Sequence, residues 1–227
     1  MKNFTTSYDP ERLDAHIERQ MAKINLETRQ NELISRRKKC FGDASFFDMT
    51  FENNDDNQTE AYAKALDFAT DFKNFRKKST GLLFYGPYGT GKTYLAACIA
   101  NALIDKGYTA KLTTMASAVN DLMDTENKTY YLEAMTGVDL LILDDFGAEY
   151  QTDFMLAKSF EIINRRYITR KPLIVTTNFS KDQLSNPDPN QHRLMSRLWE
   201  MCLFIAIEGS DRRKEKLKSR LKHNQNG

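Results

Sequence analysis

The sequence contains little cysteine, little histidine and no long apolar run, and each shortage excludes a class of protein. Its three cysteines and three histidines lie far apart among 227 residues, which excludes a zinc finger or zinc ribbon and indicates a reducing compartment. No segment approaches the roughly 18 consecutive apolar residues of a membrane span. The N-terminus lacks the apolar stretch of a signal peptide, so we expect a cytoplasmic protein that does not enter a membrane.

The composition favours a globular protein whose charge is unevenly distributed. Hydrophobic residues make up 41% and charged residues 28% of the chain, which suits a sizeable buried core. Residues 1–40 contain nine Lys/Arg and six Asp/Glu, and residues 212–227 contain seven Lys/Arg and one Asp/Glu. Residues 41–211 contain 17 Lys/Arg and 24 Asp/Glu. An acidic body with two basic ends suggests contact with a polyanion at the ends, and basic tails that serve solubility alone are the alternative.

Residues 9–39 are predicted to form a single helix with a narrow apolar stripe. Apolar side chains recur along it at spacings of four, four and three, at Leu13, Ile17, Met21 and Ile24. Charged residues flank this stripe, which is too thin to anchor a hydrophobic core. We therefore interpret the helix as a docking segment for a partner protein, and packing on its own domain is the alternative.

Beyond residue 80, short apolar runs alternate with stretches of helical periodicity. The apolar runs, each of which predicts a buried strand, lie at residues 82–85, 110–115, 138–143, 173–177 and 203–207. Strands separated by helices favour a parallel sheet, because a crossover helix returns the chain to the edge where it started. The sequence thus predicts an α/β fold in which helices cover both faces of a five-stranded parallel sheet.

A phosphate loop follows the first of these strands. Residues 86–93 match the pattern G-x-x-x-x-G-K-(S/T) directly after a strand and at the start of a helix. Glycines let backbone N–H groups turn towards a phosphate, and the helix N-terminus adds partial positive charge. Lys92 can reach the β- and γ-phosphates, and the Thr93 hydroxyl can bind Mg²⁺. The predicted nucleotide-binding residues are Gly86, Pro87, Tyr88, Gly89, Thr90, Gly91, Lys92 and Thr93.

Polar residues follow the third and fourth predicted strands. Asp144 and Asp145 end an apolar run. Burial of two carboxylates costs free energy unless they contact a ligand in the crevice at the edge of the sheet. We predict that Asp144 binds the magnesium ion and that Asp145 activates the attacking water, with a helix cap as the alternative for Asp145. Asn178 follows the fourth strand, where it is placed to contact the water or the γ-phosphate, and ordinary turn chemistry is its alternative.

Residues 81–212 resemble the AAA+ ATPases of the DnaC/DnaI helicase-loader group, which also includes the transposition helper IstB. The resemblance is carried by residues 81–96, 139–149, 176–179, 193–198 and 209–212. It implies a P-loop AAA+ fold that binds ATP and hydrolyses it with Mg²⁺. It also implies that Arg197, with Arg193 as the fallback, is an arginine finger for a neighbouring subunit, and that Arg212 is the sensor-2 arginine. A surface ion pair or a nucleic-acid contact is the alternative for Arg197 and Arg212.

The chain departs from that group in three ways. Many AAA+ proteins have glutamate where Asp145 stands, and the shorter side chain predicts slow unaided turnover. Only 18 residues follow Gly209, so we expect no C-terminal helical lid. No cysteine-rich zinc module precedes the core, and the helix of residues 9–39 takes its place.

The resemblance implies four regions along the chain. They are an N-terminal helical docking segment at residues 1–45, a linker and helix at 46–80, an AAA+ ATPase core at 81–211 and a basic C-terminal tail at 212–227. The catalytic set that it implies is Lys92, Asp145, Asn178, Arg197 and Arg212, with Thr93 and Asp144 on the metal.

The function that the resemblance implies is ATP-dependent loading of a replicative DNA helicase onto single-stranded DNA during replication initiation. Residues 9–39 are expected to dock on the helicase, and homo-oligomers are expected when ATP and this partner are present. The segment 115–135, with Tyr130 and Tyr131, and the basic run 212–222 are expected to face the DNA. Packing of the two tyrosines in the core is the alternative.

Three other functions fit parts of the same pattern. A transposition helper of the IstB type shares the phosphate loop and the acidic pair, and a neighbouring transposase gene would favour it. A small-molecule phosphotransferase shares the loop, but the sequence has no evident cluster for binding a phosphoryl acceptor. A nucleotide-bound adaptor with negligible turnover fits the aspartate at position 145.

Overall fold

The structure, a computed structural model, describes residues 10–54, 58–147 and 152–214, without the side chains of residues 10–13 and 15. The chain divides into two compact units, Met1–Arg36 and Arg37–Gly227. Two features singled out in the sequence, the tail beyond residue 214 and residues 148–149 of the second motif, lie outside the described residues. No helix in the described ranges has the length and apolar character needed to cross a bilayer.

Five strands in the described part of the second unit form one parallel sheet. They are β1 (Gly81–Tyr85), β2 (Ala110–Thr114), β3 (Leu140–Phe146), β4 (Leu173–Thr177) and β5 (Cys202–Ala206). Their spatial order is β2-β3-β4-β1-β5, and every neighbouring pair runs parallel. This arrangement confirms the predicted five-stranded parallel sheet of an α/β fold. The order also places β4 between β1 and β3, a detail that the alternation of strands and helices does not specify.

Nine α-helices occur in the described residues. In chain order they are α1 (Pro10–Phe41), α2 (Glu60–Thr70), α3 (Phe72–Lys77), α4 (Lys92–Asp105), α5 (Met115–Asp124), α6 (Lys128–Gly137), α7 (Asp153–Ile168), α8 (Lys181–Ser185) and α9 (His192–Met201). The helix predicted for residues 9–39 is present as α1. The helical segments predicted for residues 115–135 are α5 and α6, which separate where the Asn127 side chain caps the start of α6.

The sheet is buried on both faces, as its continuous apolar runs predict. On one face, Leu83, Leu141 and Val175 pack in a core with apolar side chains of α5, α6, α7 and α9. Successive strand residues point to opposite faces of a sheet. On the second face α4 packs against β2, β3 and β4, and α2 packs against α4. Helices therefore cover both faces.

The segment that joins α1 to α2 packs on α4 within the second unit. Just before it, Arg37 near the end of α1 donates two hydrogen bonds to the Asp105 carboxylate, at 2.8 and 3.1 Å. The buried amide of Asn101 in α4 donates to the carbonyl oxygens of Phe46 and Met49, at 2.8 and 2.9 Å. These contacts attach the segment to the helix that the phosphate loop opens.

A buried arginine stabilises the edge of the sheet at which the strands begin. Arg166 of α7 is fully buried. Its guanidinium donates to the carbonyl oxygens of Thr136, Val138, Asp139 and Pro172 at distances between 2.5 and 3.0 Å. These carbonyls belong to the end of α6 and to the residues that lead into β3 and β4. This role was not predictable from the sequence, because a helical arginine is ordinarily a surface residue.

β3 extends further than its apolar run predicts. The expected strand at residues 138–143 is observed at Leu140–Phe146, so both acidic residues belong to it. Its pairing with β4 passes from Leu143 opposite Val175 to Phe146 opposite Thr177, which leaves one extra residue on β3. This β-bulge turns the strand locally, so that Asp145 is exposed while the residues on either side of it are buried.

Candidate active site

The phosphate loop joins β1 to α4 at the edge of the sheet where the strands end. Gly86, Gly89 and Gly91 have φ angles of 136°, 75° and 100°, a region that glycine enters far more readily than other residues. A Cβ atom on Gly86 would collide with the Ile207 carbonyl oxygen. α4 begins at Lys92 with no side chain capping its first turn, so its amides can receive an anion. The backbone therefore has the shape of an anion cradle.

Lys92 lies inside this cradle. Lys92 is only 5% exposed. Its Nζ atom donates to the carbonyl oxygens of Gly86 and Pro87 at 2.9 and 2.7 Å. Burial lowers the pKa of Lys92, and the charges of Asp145 and Asp144 oppose that shift. A phosphate oxygen can bind the ammonium by replacing one of the two carbonyl acceptors.

Two other loop residues differ in their surroundings. Thr90 is buried, and its hydroxyl donates to the Pro87 carbonyl oxygen at 3.0 Å, which fixes the turn of the loop. Tyr88 is 73% exposed, so its side chain contributes no packing to the cradle.

Thr93 and Asp144 form a pair of oxygen ligands suited to magnesium. The Thr93 hydroxyl lies 2.9 and 3.1 Å from the two carboxylate oxygens of Asp144 and donates to them. Burial raises the pKa of Asp144, and hydrogen bonds from Thr176 and Thr93 oppose the shift. Mg²⁺ takes few protein oxygens and completes its shell with phosphates and water, so this pair fits it. The described residues contain no group of three or more His, Cys, Asp or Glu side chains able to hold a metal.

Asp145 projects from the β-bulge next to this pair. Its φ of 51° is left-handed, a conformation that aspartate tolerates better than most residues. Its N–H donates to the Thr176 hydroxyl at 3.1 Å. The exposed Asp145 carboxylate lies at the same edge as Lys92. Its negative charge raises the pKa of Lys92, and the larger effect of burial lowers that pKa. A carboxylate in this position can accept a proton from water.

The end of β4 lies between the phosphate loop and the acidic pair because β4 separates β1 from β3. Asn178 follows β4 directly and is half-buried at this edge. The Thr177 hydroxyl donates to the Phe146 carbonyl oxygen at 2.7 Å and accepts from the Phe179 N–H at 3.2 Å, which joins the ends of β3 and β4. The sequence analysis gave a role to Asn178 and missed Thr176, the preceding strand residue that contacts both aspartates.

The chain after β5 returns to the phosphate loop. The Arg212 N–H donates to the Gly89 carbonyl oxygen at 3.1 Å, and the Arg212 Cζ atom lies 3.5 Å from where a Cβ on Gly91 would be. The charge of Arg213 acts on Lys92 in the same direction as burial, lowering its pKa. Arg212 thus lies beside the loop, its sensor-2 role stays a prediction, and Arg213 is a neighbouring cation that sequence analysis missed.

The proposed arginine finger lies elsewhere. The Arg197 guanidinium carbon in α9 is 4.1 Å from the ring centroid of Tyr167 in α7, and that of Arg193 is 5.1 Å from the ring of Phe160. α9 leads into the start of β5, whose first residue pairs with the first residue of β1. Arg197 therefore lies towards the edge where the strands begin, away from its own phosphate loop.

One edge of the sheet thus combines an anion cradle, a pair of oxygen groups suited to magnesium and an exposed carboxylate. The residues that the structure brings together there are Gly86 to Thr93 of the loop, Asp144, Asp145, Asn178 and Arg212. Such a set can bind a nucleoside triphosphate and direct water at its terminal phosphate.

Comparison with known families agrees with this geometry. The sequence model of the family described as IstB-like ATP binding protein matches residues 10–219. The chain belongs to this family. It is a P-loop ATPase of the AAA+ DnaC/IstB type, and the resemblance stated from its motifs is confirmed.

Relatives and solved structures agree with the family. The chain is 26% identical over 208 residues to the replicative helicase loader DnaI of Bacillus subtilis (strain 168), covering 84% of this chain and 66% of that protein. It is similar to the crystal structure of the DnaC helicase loader, with a TM-score of 0.63 and 25% identity over 73% of this chain and 100% of that one. It is also similar to the replication initiator DnaA bound to AMPPCP and single-stranded DNA, with a TM-score of 0.58 and 25% identity over 75% of this chain and 55% of that one. The chain spans between about half and two thirds of the length of the curated helicase loaders that it matches, and its family is one of ATP-binding proteins.

Proposed function

We propose that this ATPase loads a replicative DNA helicase onto single-stranded DNA during replication initiation. The observation that carries the proposal is the similarity to a helicase loader across 84% of the chain, a span that covers more than the ATPase core. The likeness to the DnaC helicase loader supports the same function. The transposition helper shares the core motifs, but both of these similar proteins are loaders.

Hydrolysis uses the groups at the carboxyl edge of the sheet. The loop amides and Lys92 hold the triphosphate, and Lys92 exchanges one of its carbonyl acceptors, at 2.7 and 2.9 Å, for a phosphate oxygen. Thr93 and Asp144 would hold Mg²⁺, which would supply positive charge against the phosphates. Asp145 accepts the proton of the attacking water, and Asn178 contacts that water or the γ-phosphate.

The two arginines act in different subunits of a homo-oligomer. Arg212 lies against its own loop, where its forked donors suit phosphate oxygens. Arg197 lies away from its own loop, so it acts on the nucleotide of a neighbouring subunit. ATP binding then orders the assembly, and hydrolysis releases it.

α1 supplies the surface that docks on the helicase. Within the first unit, Ile17, Met21 and Ile24 are 45%, 61% and 58% exposed. Spacings of four and three place them on one side of the helix. An exposed apolar stripe of this kind is suited to a protein partner.

The two tyrosines of α6 differ in their surroundings, and we give a role in DNA binding to Tyr130 alone. Tyr130 is 70% exposed, and in this proposal its ring stacks on a base of single-stranded DNA. The Tyr131 hydroxyl donates to the Asp121 carboxylate at 3.3 Å, so Tyr131 joins α6 to α5. The structural likeness to DnaA bound to single-stranded DNA supports a DNA-binding role.

Full-length variants of α1 test the loading function. Met21→Glu combined with Ile24→Glu places two charges in the stripe, and Ala22→Glu combined with Gln30→Glu places two charges on exposed positions of the opposite side. We expect the stripe variant to lose at least about tenfold in co-purified replicative helicase and in ATP-dependent transfer of helicase to single-stranded DNA. The control should retain both, and ATP binding should be unchanged in each. Equal recovery of helicase with the stripe variant and the parent would refute the docking role, and recovery of a transposase instead would favour the transposition helper.

A further inference from the structure

Thr176 of β4 joins the two aspartates of the site through one hydroxyl. It is fully buried. Its Oγ1 donates to the Asp144 carboxylate at 2.5 Å and accepts from the Asp145 N–H at 3.1 Å. A hydroxyl has one proton and two lone pairs, so Thr176 can donate to Asp144 and accept from the Asp145 N–H at the same time. The hydroxyl therefore ties the carboxylate of one aspartate to the backbone of the next.

The β-bulge explains why a side chain is needed at this point. Asp144 and Asp145 together lie opposite Thr176, because Leu143 pairs with Val175 and Phe146 pairs with Thr177. The extra residue interrupts the ladder of backbone hydrogen bonds. The Asp145 N–H consequently bonds to a side-chain oxygen of the adjacent strand, and Asp145 takes a φ of 51°. A residue in this conformation needs support from its surroundings.

Neighbouring threonines do not duplicate this contact. The Thr177 hydroxyl donates to the Phe146 carbonyl oxygen. The Thr114 hydroxyl, at the end of β2, donates to the Ser117 hydroxyl and accepts its N–H at the start of α5. Among the described hydrogen bonds at this edge, those of Thr176 alone reach both aspartates.

We propose that Thr176 is a positioning residue for ATP hydrolysis, which holds the Asp144 carboxylate towards Thr93 and fixes the backbone from which the Asp145 carboxylate projects. The proposal rests on the roles given above to Asp144 and Asp145. It concerns the chemical step more than nucleotide binding, because the loop amides, Lys92 and the phosphate cradle do not depend on the Thr176 hydroxyl.

Thr176→Val tests the proposal, because valine keeps the shape and β-branching of threonine and removes the hydroxyl. We expect kcat for ATP to fall on the order of tenfold or more, as for loss of one hydrogen bond to a charged group in the transition state. The calorimetric affinity for ATP without Mg²⁺ should change less than about twofold, while the gain in affinity on adding Mg²⁺ should shrink. Thr176→Ser restores the hydroxyl and should restore kcat to within about threefold of the parent.

A matched control separates positioning from stability. Thr136 is another buried threonine, whose hydroxyl donates to the Leu132 carbonyl oxygen within α6. Its own carbonyl oxygen accepts from Arg166 at the edge where the strands begin, which is opposite the site. Thr136→Val should lower Tm and leave kcat and the Mg²⁺ response unchanged. If Thr176→Val does not fold, the comparison of Thr176→Ala with Thr176→Ser answers the same question.

Two results would overturn the proposal. One is a Thr176→Val variant that behaves like the Thr136→Val control, with lower Tm and unchanged kcat. The other is a Thr176→Ser variant as slow as Thr176→Val, because the hydroxyl would then not be the cause. Failure of the loading function is distinguishable, since it would appear in helicase transfer by the parent while ATP turnover persists.

Discussion

Replacement of Asp145 by asparagine separates the chemistry of the site from its folding. Asp145 has a φ of 51°, and asparagine shares with aspartate an unusual tolerance of this left-handed conformation. The Asp145 N–H that donates to Thr176 is part of the backbone and is retained. The variant should therefore fold with an unchanged Tm while losing the carboxylate that we propose as the acceptor of the proton of water.

The expected loss of activity follows from the chemistry of proton transfer. A positioned general base accelerates a reaction by about 10²–10⁴-fold, so single-turnover release of phosphate from Asp145→Asn should slow by that factor. Calorimetric binding of ATP should persist, because the cradle and Lys92 are intact. The Asp145→Ala variant should lose activity in the same way and should also be less stable, by about 1–2 kcal/mol, because alanine pays the full cost of the left-handed backbone.

The two variants also distinguish the ways in which this reasoning can fail. For a chain of this size each 1 kcal/mol lowers Tm by about 2–4 °C, so the difference between them is measurable. An Asp145→Asn variant that hydrolyses ATP at the parental rate would exclude Asp145 as the base. An asparagine variant as unstable as the alanine variant would show that the backbone torsion is not what distinguishes them.

Two further substitutions test the loop and the opposite edge of the sheet. Gly86→Ala should abolish calorimetric ATP binding and lower Tm, because Gly86 has a φ of 136° and the new Cβ would collide with the Ile207 carbonyl oxygen. Gly137→Ala is the control, because nothing lies within 4 Å of its new Cβ. The control should bind ATP and unfold at the same Tm as the parent. Arg166→Met should lower the free energy of unfolding in urea by about 3 kcal/mol or more, since it leaves buried carbonyl oxygens without donors. Arg165→Met removes a partly exposed ion pair at 2.8 Å and should cost less than about 1 kcal/mol, so equal losses for the two arginines would contradict this account.

The elements that sequence analysis predicted correctly are those whose signal is local. The phosphate loop occupies eight consecutive residues, and its glycines, lysine and threonine report directly on backbone shape and charge. The strands were predictable because parallel strands buried on both faces are continuous apolar runs. The exposed stripe of α1 was likewise predictable from the spacing of Ile17, Met21 and Ile24.

The features that were missed depend on residues far apart in the chain. Thr176 contacts Asp144 and Asp145 because of the register between two strands separated by about 30 residues, and an unaligned sequence contains no information on that register. The β-bulge arises from the same pairing. Arg166 is buried because four carbonyl groups from two connections converge on it, and Arg197 is stacked on Tyr167 because α7 and α9 pack together.

The polar network explains how a buried sheet accommodates a carboxylate at its working edge. Burial raises the pKa of Asp144 and so disfavours its charged form, and the hydroxyls of Thr176 and Thr93 oppose this by donating to the same carboxylate. If the Thr93 oxygen were to bind a metal ion through a lone pair, its proton would still point to Asp144. The Asp144 carboxylate would then keep both hydroxyl donors, Thr93 and Thr176. The buried Asp144 carboxylate is thereby paired with two hydroxyl donors. A buried polar network of this kind is stable when every member is satisfied, so we expect removal of the Thr176 hydroxyl to disturb both the Thr93–Asp144 pair and the backbone of Asp145.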